Sequence, residues 1–341
     1  PELFNNAAKF ISIKEYIIYK LTGEYVVDYS IASASGLFNP VEKCWHAEVL
    51  REIGIDNSQL STICTPKENF KLLKSVTEEL SLPEDILLIS GGSDGCLANL
   101  GDEATSQGIY SISIGTSGAV RTVSKNFITD SKMRLFSYIL DEDMFIHGGA
   151  VNTGAIALEW LGKQVFGNKQ ASISPKEIIG LAATAQPGAN GLLFLPYLQG
   201  ERAPFWEPEM TGSFLGLTID HDQKHFARAI IEGVLYNLNY VMEAVAKVHP
   251  KVSLIKASGG FTKSAFWLQM LADITNCSVE VNTGTASAAR GAAILGWEVL
   301  KNDRYQFKSG ENSSEKYLPN PKKHQTYRTY YEQFVKLIQK K

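Results

Sequence analysis

The stretch Leu87–Gly101, LLISGGSDGCLANLG, sets one serine and one aspartate among glycines at the end of an apolar run. Two further glycine turns follow, GTSG at 115–118 and SGG at 258–260. Glycine lets backbone come close to a phosphate, and consecutive N–H groups form a concavity that binds anions. A single glycine turn is usually only a turn. Three of them, two leading into helices and one closing a hairpin, indicate a nucleotide site. Asp94 is the only carboxylate in any of the three. Beside phosphates an aspartate repels, unless it accepts a proton from an attacking hydroxyl or helps to hold Mg2+, as phosphoryl transfer requires. The plain alternative is an aspartate capping the helix CLANLG. A different chemistry also fits. GGSDG satisfies G-x-S-x-G, the nucleophile elbow of α/β-hydrolases, with Ser93 as nucleophile and His249 or His324 as a downstream base. That reading leaves the other two glycine turns unexplained.

The surrounding pattern says what positions these turns. Ile109–Ile114 (IYSISI) alternates, turns at GTSG and resumes as AVRTV, which predicts a hairpin. Strands are expected at Met144–Gly149, Gly191–Tyr197, Lys251–Ser258 and Val279–Val281. Helices are expected over 151–165, 225–248 and 286–300, and after the SGG turn. Upstream, Phe10, Ile13, Ile17, Ile18 and Leu21 recur with a helical period over residues 8–22, ending at Gly23. A short strand (EYVVDYS), a small-residue turn (ASASGLFN), a helix over 42–53 and a loop over 66–80 follow. Strands alternating with helices, with glycines at strand ends, predict an α/β protein whose ligand lies at the carboxyl edges of strands.

The 341 residues, 44% hydrophobic and 20% charged with a net charge of −3, suggest two domains. So small a charge gives no reason to expect nucleic acid or an anionic membrane as partner. No apolar run approaches the roughly 20 residues of a membrane span, and no signal peptide is recognisable. Cys44, Cys64, Cys96 and Cys277 are too scattered for a zinc site or a disulfide framework, which suits a cytoplasmic setting. His221 and His225 have metal-ligand spacing, but the intervening DQK lacks the glutamate of a metalloprotease helix. The chain opens at Pro1 in what reads as the middle of a larger protein.

The segment GSFLGLTIDHDQKHFARAIIEG, residues 212–233, resembles the C-terminal signature of the FGGY carbohydrate kinases, with Gly212, Phe214, Gly216, Leu217, His225, Phe226, Ala229 and Glu232 in step. PYLQGERAPFWEP at 196–208 resembles the loop before that signature, and SGGFTKSAFWLQMLAD at 258–273 resembles the family's adenosine element. DYSIASASGLFN, SDGCLANLG and IGTSGAVRT are worded as in the bacterial gluconate kinases of that family. The resemblance covers nearly all of the chain, most loosely after Tyr305. It implies an actin-like, ribonuclease H-like α/β fold in two domains, the first one incomplete. It implies ATP and Mg2+ as cofactors and a small-molecule sugar or sugar acid as substrate. D-gluconate, converted to 6-phosphogluconate, is the leading substrate; xylulose, ribulose, glycerol and fuculose serve relatives. By the same resemblance Asp94 is the catalytic base. Gly115, Thr116, Ser117 and Gly118 face the β- and γ-phosphates, Gly154, Gly259 and Gly260 lie against the nucleotide, and Ser264 contacts adenine or ribose. No residue is assigned as a metal ligand.

The relatives carry another actin-like half with the first phosphate loop ahead of the position of Pro1. The chain is therefore expected to lack about a third of the enzyme and to be inactive without it. Residues 1–90 would complete the first domain, 91–305 would form the nucleotide domain, and the tail and last helix, 306–341, would pack back on the first domain. A homodimer is one state it could adopt. Arg202 could reach an anionic group of the substrate or nucleotide, or brace its loop through Glu201 or Glu207. Arg121 is read mainly as a solvated strand residue, Asp28 as a cap, and the tryptophans as packing. Two other classes of function stay open: the serine hydrolase using Ser93, and a non-catalytic actin-like ATP-binding module.

Overall fold

Alternation of apolar and polar side chains along a nearly fully buried strand sets the centre of the molecule. In β1 (Ile109–Ile114), Tyr110, Ile112 and Ile114 are buried towards one face while Ser111 and Ser113 turn to the other. The computed structural model describes residues 2–167, 172–282, 286–306 and 314–339. It builds around β1 a seven-stranded mixed sheet with β2 (Gly118–Ser124), β3 (Phe136–Asp141), β4 (Met144–Val151), β5 (Leu254–Ser258), β6 (Ser278–Asn282) and β7 (Ser314–Tyr317). The spatial order is β7-β6-β5-β1-β2-β4-β3. β1 runs parallel to β5 and β5 to β6, while the β1–β2, β2–β4, β4–β3 and β6–β7 pairs are antiparallel.

Helices cover both faces. In chain order they are α1 (Ile13–Thr22), α2 (Tyr29–Ala34), α3 (Asp94–Gly101), α4 (Ile156–Trp160), α5 (Pro175–Thr184), α6 (Gln223–Ala246), α7 (Ala265–Thr275), α8 (Ser287–Lys301) and α9 (Pro321–Ile338). α6 is buried at every position from Ala227 to Asn239, as expected of a helix running through a core. Val234, Leu238 and Val241 belong to the main cluster with Ile112, Ile114, Val120 and Val151. On the other face Cys96, Leu97 and Leu100 of α3 join Ile294 and Leu295 of α8 against Val123, Leu140 and Ile146. The N-terminal part reaches the sheet edge through Val27, Ala32 and Phe38, packed on Ile139 and Phe145. Among the described residues no helix is long and apolar enough to cross a membrane.

Several local expectations change. The helix expected over 8–22 begins at Ile13, where Ser12 and Glu15 form a capping box. Ile18 is buried there, but Ile13 and Ile17 stay exposed. The small-residue stretch expected as a turn forms α2, because the Asp28 carboxylate accepts the N–H groups of Ser30 and Ile31 and so starts a helix. The stretch expected as a loop over 66–80 holds a strand, Asn69–Lys71, paired with Leu87–Ile89, and a helix, Lys74–Leu80. α9 was expected against the first domain; it packs on α6, α7 and the strand Leu193–Leu195.

Candidate active site

Each of the three glycine turns is held by a different element. In the first, Gly91 has φ +66°, and Ser90 and Gly91 donate their N–H groups to Glu68 and Pro66. The Ser93 N–H donates to Ser30 Oγ (2.7 Å), so α2 clamps this turn. Ser30 in turn bonds to the buried Asp28 carboxylate, which also pairs with Lys14. Asp28 is thus a cap and an anchor. Ser93 is the N-cap of α3, its hydroxyl accepting from the Cys96 N–H. Asp94 therefore does not carry the cap. It opens the helix with an exposed side chain, one oxygen accepting from the adjacent Gly95 N–H at 2.6 Å.

The second turn joins β1 to β2. Its carbonyls are held from behind: Gly154 N–H donates to Thr116 O (2.9 Å) and Ala155 N–H to Gly115 O (2.7 Å). A Cβ at Gly154 would lie 2.5 Å from Ser117 O, so this buried glycine is a backstop to the hairpin. Gly115 and Thr116 are exposed, with open space at the Gly115 α-carbon. Gly118 does something else. It is buried, with Val151 and Leu238 filling the place of a Cβ, which makes it a packing position between the sheet and α6.

The third turn lies beside the second, because β5 runs parallel to β1 with Ser258 in register with Ser113. Gly259 has φ +98°, and a Cβ there would meet Ile114 O at 2.5 Å. Gly260 is exposed with nothing within 4 Å of its virtual Cβ. Ser264 caps α7, its hydroxyl accepting from the Trp267 N–H at 3.3 Å. Two turns thus share the carboxyl edge of adjacent parallel strands, where α/β proteins bind ligands.

Arg121, on β2, connects them to the first turn. Its Nη1 donates to Ser113 Oγ (3.1 Å), and its Nε and Nη2 lie 3.0 Å from where a Gly95 Cβ would be. Burial lowers its pKa, while Cys96, Asp94 and Asp102 oppose that shift. Asp102, just beyond α3, is buried, and burial raises its pKa against the opposing pull of the Ser287, Ser258 and Ser111 hydroxyls and of Arg121. These hydroxyls tie the end of α3 to the end of β5 and the start of α8. Sequence reading passed over Asp102; its only signal was an aspartate next to a helix-ending glycine.

Arg202 is exposed, and it braces the loop by a route other than an Arg–Glu pair. Its Nε donates to Asn152 Oδ1 (2.7 Å) and its Nη2 to Val151 O (3.0 Å). Glu201 holds the same loop from inside, accepting from the N–H groups of Asn152 (2.6 Å) and Arg202 (2.8 Å) and from Asn237 Nδ2 (2.7 Å). Burial raises its pKa despite those donors. The end of the segment 212–233, from Ala227 on, is buried in α6. Glu232 accepts from Gly188 N–H and Arg228 Nε, and Arg228 lies over the rings of Phe266 and Tyr327.

Neither histidine offered to Ser93 reaches it. His249 packs against His147 with the rings tilted by 44°, and His324 Nδ1 bonds to the Asp273 carbonyl. The nucleophile elbow therefore lacks its base.

The mixed sheet with helices on both faces, two glycine turns at the ends of adjacent strands and an exposed aspartate on a third turn belong to the actin-like ATPase fold. The chain belongs to the FGGY family of carbohydrate kinases: residues 1–101 match the family's N-terminal domain and residues 110–297 its C-terminal domain. It is 40% identical to a gluconokinase of Bacillus subtilis (strain 168) over 86% of its own length and 59% of that protein. Among solved structures, a gluconate kinase from Lactobacillus acidophilus superposes with a TM-score of 0.92 at 34% identity, covering 98% of this chain and 68% of that one. A ligand-bound xylulose kinase from the same organism gives 0.92 at 33% identity over the same shares.

Proposed function

We propose that the protein is an ATP-dependent carbohydrate kinase acting on D-gluconate to give 6-phosphogluconate. The observation that carries this reading is the exposed Asp94 carboxylate at the head of α3, whose first turn lies against Arg121, the side chain that bonds Ser113 in the strand leading into the Gly115–Gly118 hairpin. In the proposed reaction the primary hydroxyl oxygen of gluconate attacks the γ-phosphorus of ATP. The bond from phosphorus to the β–γ bridging oxygen breaks, ADP leaves, and the hydroxyl proton passes to Asp94. Gly115, Thr116 and Ser117 would face the β- and γ-phosphates, with Gly154 holding the hairpin from behind. Gly259, Gly260 and Ser264 would border the nucleoside.

Among the described residues no group of three or more His, Cys, Asp or Glu side chains could hold a metal ion by itself. Mg2+ would arrive with ATP, keeping several waters and held largely by the phosphates, and would supply charge neutralisation on the triphosphate. Residues 1–90 would then belong to the sugar-side domain, 91–305 to the nucleotide domain and 306–341 to a tail helix. Closure of the two domains would exclude water, so that the sugar hydroxyl is the nucleophile.

Xylulose is the second reading, favoured by the equal superposition on a xylulose kinase. The test is ATP-dependent phosphorylation of gluconate, xylulose, ribulose and glycerol by the full-length protein, followed by ADP release and product identity. Gluconate is expected to be the best substrate. Asp94→Asn should cut turnover by about 10²–10⁴-fold, the worth of a positioned proton acceptor, with ADP affinity within about twofold. Crippling by Ser93→Ala with a harmless Asp94→Asn would move the reading to a hydrolase. ATP binding without turnover of any polyol would leave a nucleotide-binding module.

A further inference from the structure

A guanidinium has five N–H donors in a rigid fork, and a buried one normally has them occupied. Among the described residues Arg121 has only the Ser113 hydroxyl as a hydrogen-bond acceptor and no ion pair within 4.0 Å. Its location is specific. Ser113 lies two residues before the phosphate-facing hairpin, and Arg121 itself lies three residues after Gly118 closes it. The far side of the same guanidinium fills the space where a Gly95 side chain would be, directly after Asp94. One rigid cation therefore spans the root of the hairpin and the first turn of α3.

From this arrangement we infer that Arg121 is a positioning residue for phosphoryl transfer: its guanidinium sets the spacing between the Asp94 carboxylate and the hairpin that holds the phosphates. The inference rests on the kinase reading above. Gly95 is the complement of Arg121. Without a Cβ it admits the guanidinium against the helix backbone, and an alanine there, its Cβ 3.0 Å from Nε and Nη2, makes the strut give by a few tenths of an ångström. The cation also offsets the repulsion between Asp94 and an arriving triphosphate, so that base and phosphate can share one cleft. A base displaced by about 1 Å costs on the order of 10²-fold in rate, which is the scale of effect expected from losing the strut.

The test compares Arg121→Met, Arg121→Lys and Gly95→Ala with wild type. For Arg121→Met the expected result is a fall in kcat of about 10²-fold, and for Gly95→Ala, which shifts the strut less, a smaller fall. KM for ATP and the ADP dissociation constant, measured by calorimetry, should stay within about threefold, and Arg121→Lys should recover part of kcat. Amide exchange at Cys96 and Leu97, the first turn of α3, should quicken at least about tenfold in Arg121→Met, a readout that needs no turnover. Unchanged kcat in Arg121→Met overturns the inference. So does a fall in ADP affinity as large as the fall in kcat, which would make Arg121 a nucleotide contact. Should the full-length protein phosphorylate no sugar or polyol, the kinase reading fails; the strut is then judged by exchange alone, and unaltered protection at Cys96 and Leu97 refutes it.

Discussion

The helix that carries Asp94 touches α8 backbone to backbone, and this contact yields a sharp prediction. A Cβ added at Gly291 would stand 2.0 Å from Leu97 O, and one added at Gly101 would stand 1.8 Å from Ser287 O. Carbon–oxygen contacts relax only beyond about 3.4 Å, so Gly291→Ala must separate α3 from α8 by about 1.4 Å. That movement opens the cluster in which Leu97 and Leu100 meet Ile294 and Leu295. Overpacking of this kind costs about 1–3 kcal/mol, and the opened contacts put this case at the upper end. The better helix propensity of alanine returns about 1 kcal/mol, leaving a net loss of about 2 kcal/mol. For a domain of this size that lowers Tm by about 4–8 °C. Gly180→Ala is the internal control. It lies inside α5, exposed, with nothing within 4 Å of the added carbon, and should raise stability by about 0.5–1 kcal/mol. Urea and thermal unfolding followed by circular dichroism measure both. Since α3 positions Asp94, turnover should fall in Gly291→Ala and stay level in Gly180→Ala. If Gly291→Ala is as stable as Gly180→Ala, the close approach of the two helices is wrong.

Two further expectations concern the core and the hairpin. Burial and the neighbouring His249 bring the pKa of His147 down to about 4, its ring lying between the Ser124 and Ser137 hydroxyls. Above pH 6.5 folded and unfolded chains both leave it neutral. Below that the unfolded chain takes the proton first, so stability should fall between pH 6.5 and 4, by up to about 3 kcal/mol. Urea midpoints across that range should show a flatter slope in His147→Gln; an unchanged slope rules out His147 as the source. At Gly154 an alanine Cβ would strike Ser117 O and Gly115 O, so Gly154→Ala should weaken ADP binding at least about tenfold by calorimetry. Gly115→Ala, facing open space, should fold as wild type does. Equal ADP affinity in Gly154→Ala and wild type would show that the hairpin does not depend on that backstop.

Much of the site was legible in one dimension because its signals are local. A glycine at the end of an apolar run, a serine three residues before the N–H it caps, and alternation over six residues all act between near neighbours. Asp94, the GTSG hairpin and the turn at Gly259 fall in this group, and the structure brings the hairpin and the Gly259 turn together at the carboxyl edge of neighbouring strands. Asp28 belongs here too, since its cap serves residues two and three positions on. The same locality explains the misreadings. The periodic Ile13 and Ile17 promised a buried face that α1 does not have, and ASASG looked like a turn until Asp28 capped it.

From its own order of residues the chain determines where it turns, where strands and helices start, and that one exposed carboxylate can stand among anion-binding backbones. Only the tertiary structure decides that Arg121 reaches from Ser113 on β1 to the backbone at Gly95 on α3, that Glu201 locks the Arg202 loop from beneath, that Asp102 gathers serines from three elements, and that Gly118 packs against α6. The physical reason is distance along the chain. Each of these roles depends on partners tens or hundreds of residues away, and the sheet order that makes them neighbours is set by the burial of both its faces.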